Sequence, residues 1–587
     1  MMRRSSIKRN IFLALLLPTM LAPASAAQEG PPATALLPAD APIVLEIPEP
    51  AKQLGEFREY LTRIGFYESP AWAALQKNPG WAQARVGVFG IAGAAGMTPW
   101  QAIDSLVGDG LAITLLPGVT PGSQPRLLAV ARLASDHAAD VDRFLDQLNI
   151  LAKVAPESIE EVAGGRIVRV NPELCYARAD SYLIVGNEPN HVKAAVERAG
   201  SGGGANVLPP SPANARARLR VNLAALRQQG GPLASNEPMN NPLGGYLFGG
   251  WAAALRQGDL LHGWLASDAE GMSVHMNVAV DEPFAAPNDS FFKGDRSATA
   301  WRAADLPRAL GEIRVDRDWA RLFADREQIL TLAAANGVAN FSAGLTTLMG
   351  GLDFMDELLP RVNGPARLVA AGQDFSQSLR VPSPKLPAVA LAIPLEFGEG
   401  DMLRDRIYSS ALSALSLIGL NQGQNGQPQL MAKAGAYKDH QVIYAQYAAP
   451  MSADGGGQAN DVAPVQYNFE PAVAIVGDEL IVATTYTLLR DIIDLKEAAA
   501  QPPDHAADDV LWLDSRAVEQ ALRDNTEELI MNRMLEQNES REQATAMFEG
   551  IFQALRLIDG ARIISRATDD GVSVTLTLGR NDPSVEN

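Results

Sequence analysis

One strand is written twice in this chain. Residues 269–278 read AEGMSVHMNV and residues 569–578 read DDGVSVTLTL, each an acidic turn, a glycine, and a strand with Ser-Val at the same offset. A repeat on this scale constrains the fold more than any other feature. The 587 residues exceed what one hydrophobic core ordinarily serves. Two cores of related pattern are therefore expected.

The repeat extends far beyond that strand. In the first half PIVLEIP reads as a strand, followed by a helix over residues 51–65 with Leu54, Phe57 and Leu61 at helical spacing. Thr98-Pro99-Trp100-Gln101 spells a capping box, with Thr98 at N-cap, Pro99 at N1 and Gln101 at N3. The helix it opens, PWQAIDSL, stops at VGDG and yields to the strand LAITLLPG. RLLAVARL is the next strand, and residues 140–152 place Val141, Phe144, Leu145 and Leu148 on one helical face. RIVRV and CYARADSYLIVG supply three strands, the last two turning near Ala179-Asp180. PNHVKAAVERA is a helix; LRVNL, a helical stretch and GMSVHMNVAV complete the half.

The same order returns after Ser297. GEIRVD with a helix from Trp319, then LDFMDELLPRVNGPARLVAA, then PAVALAIPL with DMLRDRIYSSALSAL match the opening elements. AIVGDELIVATTYTLLRDIIDL matches ARADSYLIVGNEPNHVKAAVE, with Asp478 opposite Asp180; VLWLD, a long helix and GVSVTLTL close the set. Ile47 and Val315 stand 268 positions apart, Gly110 and Gly364 254, Leu127 and Leu386 259, Asp180 and Asp478 298, and Gly271 and Gly571 300. The rise before Asp478 requires inserted residues. Two loop-like stretches lie there, 419–429 (GLNQGQNGQPQ) and 451–466 (MSADGGGQANDVAPVQ).

Tight turns between alternating strands imply antiparallel pairing. The expected fold is α+β: two similar halves, each an antiparallel β-sheet with helices packed on one face. The first repeat covers residues 41–282 and the second, with its two loop insertions, 298–580. A Pro-, Asp- and Ser-rich linker over 283–297 joins them, and 581–587 is a polar tail.

The N-terminus carries an address. Basic MMRRSSIKRN, apolar IFLALLLPTML and small-residue APASAAQ follow the order of a secretory signal over residues 1–26, with Ala24-Ser25-Ala26 at the cleavage site. A Pro/Ala-rich leader follows over 27–40. The apolar run is too short to cross ~30 Å of hydrocarbon, and no later stretch reaches ~18 uninterrupted apolar residues. The expectation is an exported, soluble protein of the periplasm or extracellular space, with no integral membrane segment after signal cleavage. Arg3-Arg4 partly fits a twin-arginine signal, while the strongly apolar core points to the general secretory route. Net charge is −19, which repels phosphate backbones and anionic headgroups, so nucleic acid is not an expected partner.

Three segments carry a family resemblance: LLPADAPIVLEIPEPAKQL, LVGDGLAITLL and ADSYLIVGNEPNHVKAAVE. Together they resemble a family of exported bacterial proteins catalogued as a domain of unknown function. The resemblance covers most of the first half and, more weakly, the second. It implies export and fold, and supplies no activity or site residue.

Candidate chemistry is sparse. Cys175 is the one cysteine, so no internal disulfide forms; in ELCYARAD it reads as a small buried hydrophobe of a strand rather than a nucleophile. His137, His191, His262, His275, His440 and His505 show no metal-ligand spacing. Ser290-Phe291-Phe292-Lys293 spells S-x-x-K, but in the linker and with no K-T-G after it. Gly87, Gly90, Gly93 and Gly96 recur every third residue without a phosphate-binding fingerprint. Asp353, Asp356 and Glu357 read as a helix start favoured by the dipole. Trp72, Trp100, Trp251, Trp264 and Trp512 fall in apolar patterns and are expected in the core.

No catalytic, cofactor-binding or metal-ligating residue is therefore assigned. The sequence points to an exported, soluble, non-catalytic binding or scaffold protein of the bacterial cell envelope, its partner an envelope protein or an apolar ligand. The alternative is a hydrolase whose site is assembled from distant loops.

Overall fold

The computed structural model describes residues 31–63, 65–68, 72–73, 76, 87, 89–117, 125–205, 207–230, 237–267, 271–280, 284–292, 301–376, 381–447, 463–498, 507–568 and 571–579. The expected signal segment, most of the 451–466 insertion, His505, Lys293 and the 581–587 tail lie outside those residues. The chain divides into two units, Met1–Ser235 with Leu255–Asp281, and Asn236–Ala254 with Glu282–Asn587.

In the first unit, β1 (Ile43–Pro48) leads to α1 (Pro50–Arg63), α2 (Pro99–Val107), β2 (Gly110–Leu116) and β3 (Arg126–Arg132). Next come α3 (Ala138–Ala152), β4 (Ile159–Val162), β5 (Gly165–Asn171), β6 (Leu174–Ala179) and β7 (Tyr182–Gly186). Then follow α4 (Pro189–Gly200), β8 (Ala215–Asn222) and α5 (Leu223–Gln228). Beyond α6 (Pro242–Gln257), most of which belongs to the second unit, β9 (Leu260–Ser267) and β10 (Gly271–Ala279) finish it. The strands pair antiparallel in the order β4-β5-β6-β7-β3-β2-β1-β8-β9-β10.

Local sequence explains the joints. Thr98 Oγ1 accepts from the Gln101 amide at 3.2 Å while Gln101 Oε1 accepts from the Thr98 amide at 2.9 Å, the reciprocal capping box. At the other end of α2, Gly108 sits at φ +64, and a Cβ there would collide with the Arg132 carbonyl oxygen. Only glycine fits that stop.

The second unit contains β11 (Ala309–Val315), α7 (Trp319–Ala324), α8 (Arg326–Ile329), α9 (Leu332–Leu348), β12 (Ala366–Ala371) and β13 (Ala388–Pro394). After them come α10 (Leu403–Gln424), β14 (Leu430–Tyr437), β15 (His440–Tyr447), β16 (Ala472–Val476), β17 (Glu479–Ala483) and α11 (Tyr486–Ala498). The last elements are β18 (Asp509–Asp514), α12 (Ser515–Arg523), α13 (Thr526–Gln537), α14 (Arg541–Leu557), β19 (Gly560–Thr568) and β20 (Gly571–Gly579). The strands pair antiparallel in the order β14-β15-β16-β17-β13-β12-β11-β18-β19-β20. The α+β class with antiparallel sheet is thus as the sequence indicates.

The expected helices on one face are a correction. In the first unit Val192, Ala195 and Val196 of α4 pack on Val130, Ala177 and Ile184, while Val141 and Leu145 of α3 pack on Ala131, Val168 and Tyr176, the opposite face. In the second, α11 covers Ala390, Ala474 and Ile481, and α10 covers Ile443, Val473 and Ile475 from the other side. Strands such as β16, buried at all five positions, need apolar cover on both faces.

Four further expectations differ. Residues 419–424, expected as loop, continue α10 as helix to Gln424, with Asn425 as its C-cap before Gly426 at φ +68. Gly419 fits tightly there: a Cβ would collide with the Leu430 carbonyl oxygen, so the glycine lets the helix close on β14. The expected linker is partly core, since Phe291 in the 3-10 turn Asn288–Phe291 is buried beneath Gly249 and Gly250 of α6. The five tryptophans expected in the core are half-buried, whereas Trp301 is the one buried among the described residues, with Arg367 stacked 4.5 Å above its ring. Finally, Ala179 pairs with Tyr182 and Val476 with Glu479. Asp180 therefore takes the first turn position, at φ +44, as does Gly477 at φ +62, while Asp478 takes the second, so the two aspartates do not occupy the same turn position.

Candidate binding surface: an open apolar face in the second unit

Chemistry-bearing residues are dispersed. Cys175 is buried in β6 and donates to the Gly186 carbonyl at 3.2 Å; burial pushes its thiol up to about 11, far from the thiolate a nucleophile needs. Ser290 is buried, its hydroxyl 3.5 Å from Asp289 Oδ1. His137 meets Ser105 Oγ at 3.3 Å, His191 faces Arg126 at 3.3 Å, and His440 contacts Glu497 at 3.2 Å. His275 contacts Ser273 Oγ at 2.9 Å and stacks on Trp264 with ring centres 5.0 Å apart. Burial lowers the pKa of His191, His262 and His275, desolvation disfavouring their charged forms. Among the described residues no His, Cys, Asp or Glu group is arranged to hold a metal. Asp353 serves as a cap, accepting from the Met355 and Asp356 amides at 2.8 and 2.9 Å.

What the second unit does concentrate is uncharged apolar surface. Helix α10 covers β14, β15 and β16 on one face of the sheet, and the cluster beneath it reaches Leu480 of β17 and Ile393 of β13. On the same face, in register, Val482 of β17 pairs with Leu391 of β13 and Leu391 with Leu368 of β12. These three large side chains stand 38 to 43 % exposed. Their neighbours along the strands on that face, Ala366, Ala370, Val389, Ile393, Leu480 and Thr484, carry no charge either. In the first unit Ala129 of β3 and Ile113 of β2, which pair in register, are buried.

Two helices extend this character. Residues 328–352 and 407–432 contain no Asp, Glu, Lys or Arg, in a chain where such residues make up 20 %. The first stretch forms α9, whose inner stripe of Ala334, Ala335, Val338 and Ser342 is buried. Its outer stripe is Gly337, Phe341, Gly344 and Leu348, one face at helical spacing. A Cβ on Gly337 or Gly344 would meet nothing within 4 Å, and Phe341 is 62 % exposed. The second stretch forms most of α10, which lies against α9 and exposes Leu417, Ile418 and Leu420 near its C-terminal end.

Charge on α10 is confined to its start, where it is used to hold the helix. Arg404 donates to the Gly477 carbonyl at 2.9 Å and Asp478 Oδ1 at 2.8 Å, its guanidinium 3.9 Å above the Phe397 ring. Arg406 grips both carboxylate oxygens of Glu357, and that hydrogen bonding holds the Glu357 carboxyl below its usual range. Exposed apolar side chains drawn from charge-free stretches make this a candidate binding surface. The sequence signal was the missing charge over 328–352 and 407–432. The row Leu368–Leu391–Val482 gives no such signal, because it exists only once three distant strands pair.

No family model matches the chain, and no curated protein matches it. Among solved structures, crystal forms I and III of TP0453 match with TM-scores of 0.23 and 0.20, each at 8 % identity over 45 % of this chain and 85 % of that one. Nothing about function transfers at that level of likeness.

Proposed function

We propose that this chain is an exported, non-catalytic binding protein of the bacterial cell envelope, built from two copies of one α+β unit and acting through the open apolar face of the second. The observation that carries the reading is the exposure of Phe341, Leu348, Leu417 and Leu420 on two touching helices drawn from charge-free stretches. Surface of this composition is costly to leave in water, about 25 cal/mol for each Å² exposed.

The duplication is supported by strand order. Each sheet runs from a hairpin edge (β4-β5, β14-β15) through a second hairpin to the third, second and first strands of its half, then to the last three. Gly271 and Gly571 open the final strands at φ +153 and +139. Export rests on the order of basic, apolar and small residues in the first 26 positions.

The test is complementation of a deletion strain. Cys175→Ala and Ser290→Ala should leave the cellular role intact. Phe341→Ser combined with Leu417→Ser should abolish it while far-UV circular dichroism and melting stay close to wild type. Loss of role from a folded Cys175→Ala or Ser290→Ala variant would return the account to an enzyme.

A further inference from the structure

Resting on the apolar-surface reading, we infer that the occupant of this face is an electrically neutral lipid surface. The argument is one of charge. The two stretches that form α9 and α10 offer neutral side chains alone over 25 and 26 consecutive residues. A folded protein partner is normally oriented by complementary charge around its contact, and these stretches supply none. A second copy is disfavoured as well, since two chains of charge −19 repel each other.

A bilayer asks for neither charge pairing nor matched shape. It accepts large apolar side chains projecting from a surface, provided no charge is dragged in with them. Phe341, Leu348, Leu417, Ile418 and Leu420 meet that condition. Gly337 and Gly344 leave the ground on either side of Phe341 low, so this side chain stands proud of its helix. The net charge of the chain selects further: an anionic bilayer repels it, and a zwitterionic one does not.

The experiment is flotation of the processed chain with vesicles of phosphatidylcholine alone and of phosphatidylcholine mixed with phosphatidylglycerol. The wild type is expected to float with the neutral vesicles, and less with the anionic ones at low salt. Phe341→Ser/Leu417→Ser should lower the bound fraction about tenfold or more. Should that double variant melt early, Leu420→Glu, a single change at an exposed position, makes the same test. Absence of wild-type flotation on neutral vesicles, or equal flotation by the folded variant, overturns the inference. So does sedimentation showing a dimer that the variant abolishes, which would make a second copy the occupant. The broader reading is judged separately: a variant that loses complementation although the wild type never floats leaves the apolar-surface reading standing and removes the lipid.

Discussion

Replacing Asp509 with Ala probes how the second unit is held together. Arg317 and Asp509 are 0 % and 1 % exposed, with Nη1 and Oδ1 2.6 Å apart. The guanidinium also donates to the carbonyls of Phe291, Asp316 and Leu247 at 2.9, 3.0 and 3.2 Å, while Asp509 Oδ2 accepts from Ser565 Oγ at 2.6 Å. One buried pair thus ties β18 and β19 to the Asn288–Phe291 turn and to α6. Asp509→Ala removes the carboxylate that faces this buried cation. Breaking such a pair costs about 3–5 kcal/mol, a large part of the roughly 5–15 kcal/mol that separates folded from unfolded states. The double variant Arg317→Met/Asp509→Leu removes both charges and should cost clearly less than the two single changes added together. Because two units need not unfold in one step, the readout is hydrogen exchange at the β18 amides of Val510 and Leu511 in a urea series. A loss under about 1 kcal/mol for Asp509→Ala, the scale of an exposed pair, would refute the reasoning. Additive single and double costs would do the same.

Other outcomes follow from single contacts. Gly419→Ala drives a methyl group into the Leu430 carbonyl and should cost about 1–3 kcal/mol, whereas Gly337→Ala faces open space in a helix interior and should gain about 0.5–1 kcal/mol. A raised melting temperature for Gly419→Ala would contradict the first, and a lowered one for Gly337→Ala the second. Cys175 should resist thiol reagents in the native protein at pH 8 and react once unfolded. Its folded value near 11 lies above the ordinary 9.0, so the stability it contributes is present below pH 9 and lost as pH rises towards 11. Cys175→Ala should remove that part of the alkaline sensitivity in melts taken across this range. Mass spectrometry of envelope-derived protein should give a start at Ala27 or Gln28, and intact Met1 in that fraction would count against export.

The strands and most helices were legible because their patterns are local. Thr98, Pro99 and Gln101 name their helix start, and Val141, Phe144 and Leu145 name the buried side of α3. Misreadings arose where tertiary contact overrides composition. The Gly-, Gln- and Asn-rich run that follows Ile418, residues 419–424, looks like loop, yet Gly419 packing on β14 keeps it helical. Phe291 sits in the expected linker, yet is buried under Gly249 and Gly250; Trp301, ahead of the first strand of the second repeat, is held by Glu479 and Arg367. The candidate surface was half legible. Its helices announce themselves by missing charge, while the row Leu368–Leu391–Val482 exists only once three distant strands pair.

The central claim is that the charge-free face of the second unit is occupied when the protein works. The direct measurement is photo-crosslinking in growing cells, with benzoylphenylalanine placed at Phe341, at Leu417 and, as a control, at the exposed Glu173 of the first unit. The account predicts adducts of shifted mass from positions 341 and 417 and none from 173, in variants that still complement. Equal labelling at all three positions, or none at 341 and 417, would contradict it.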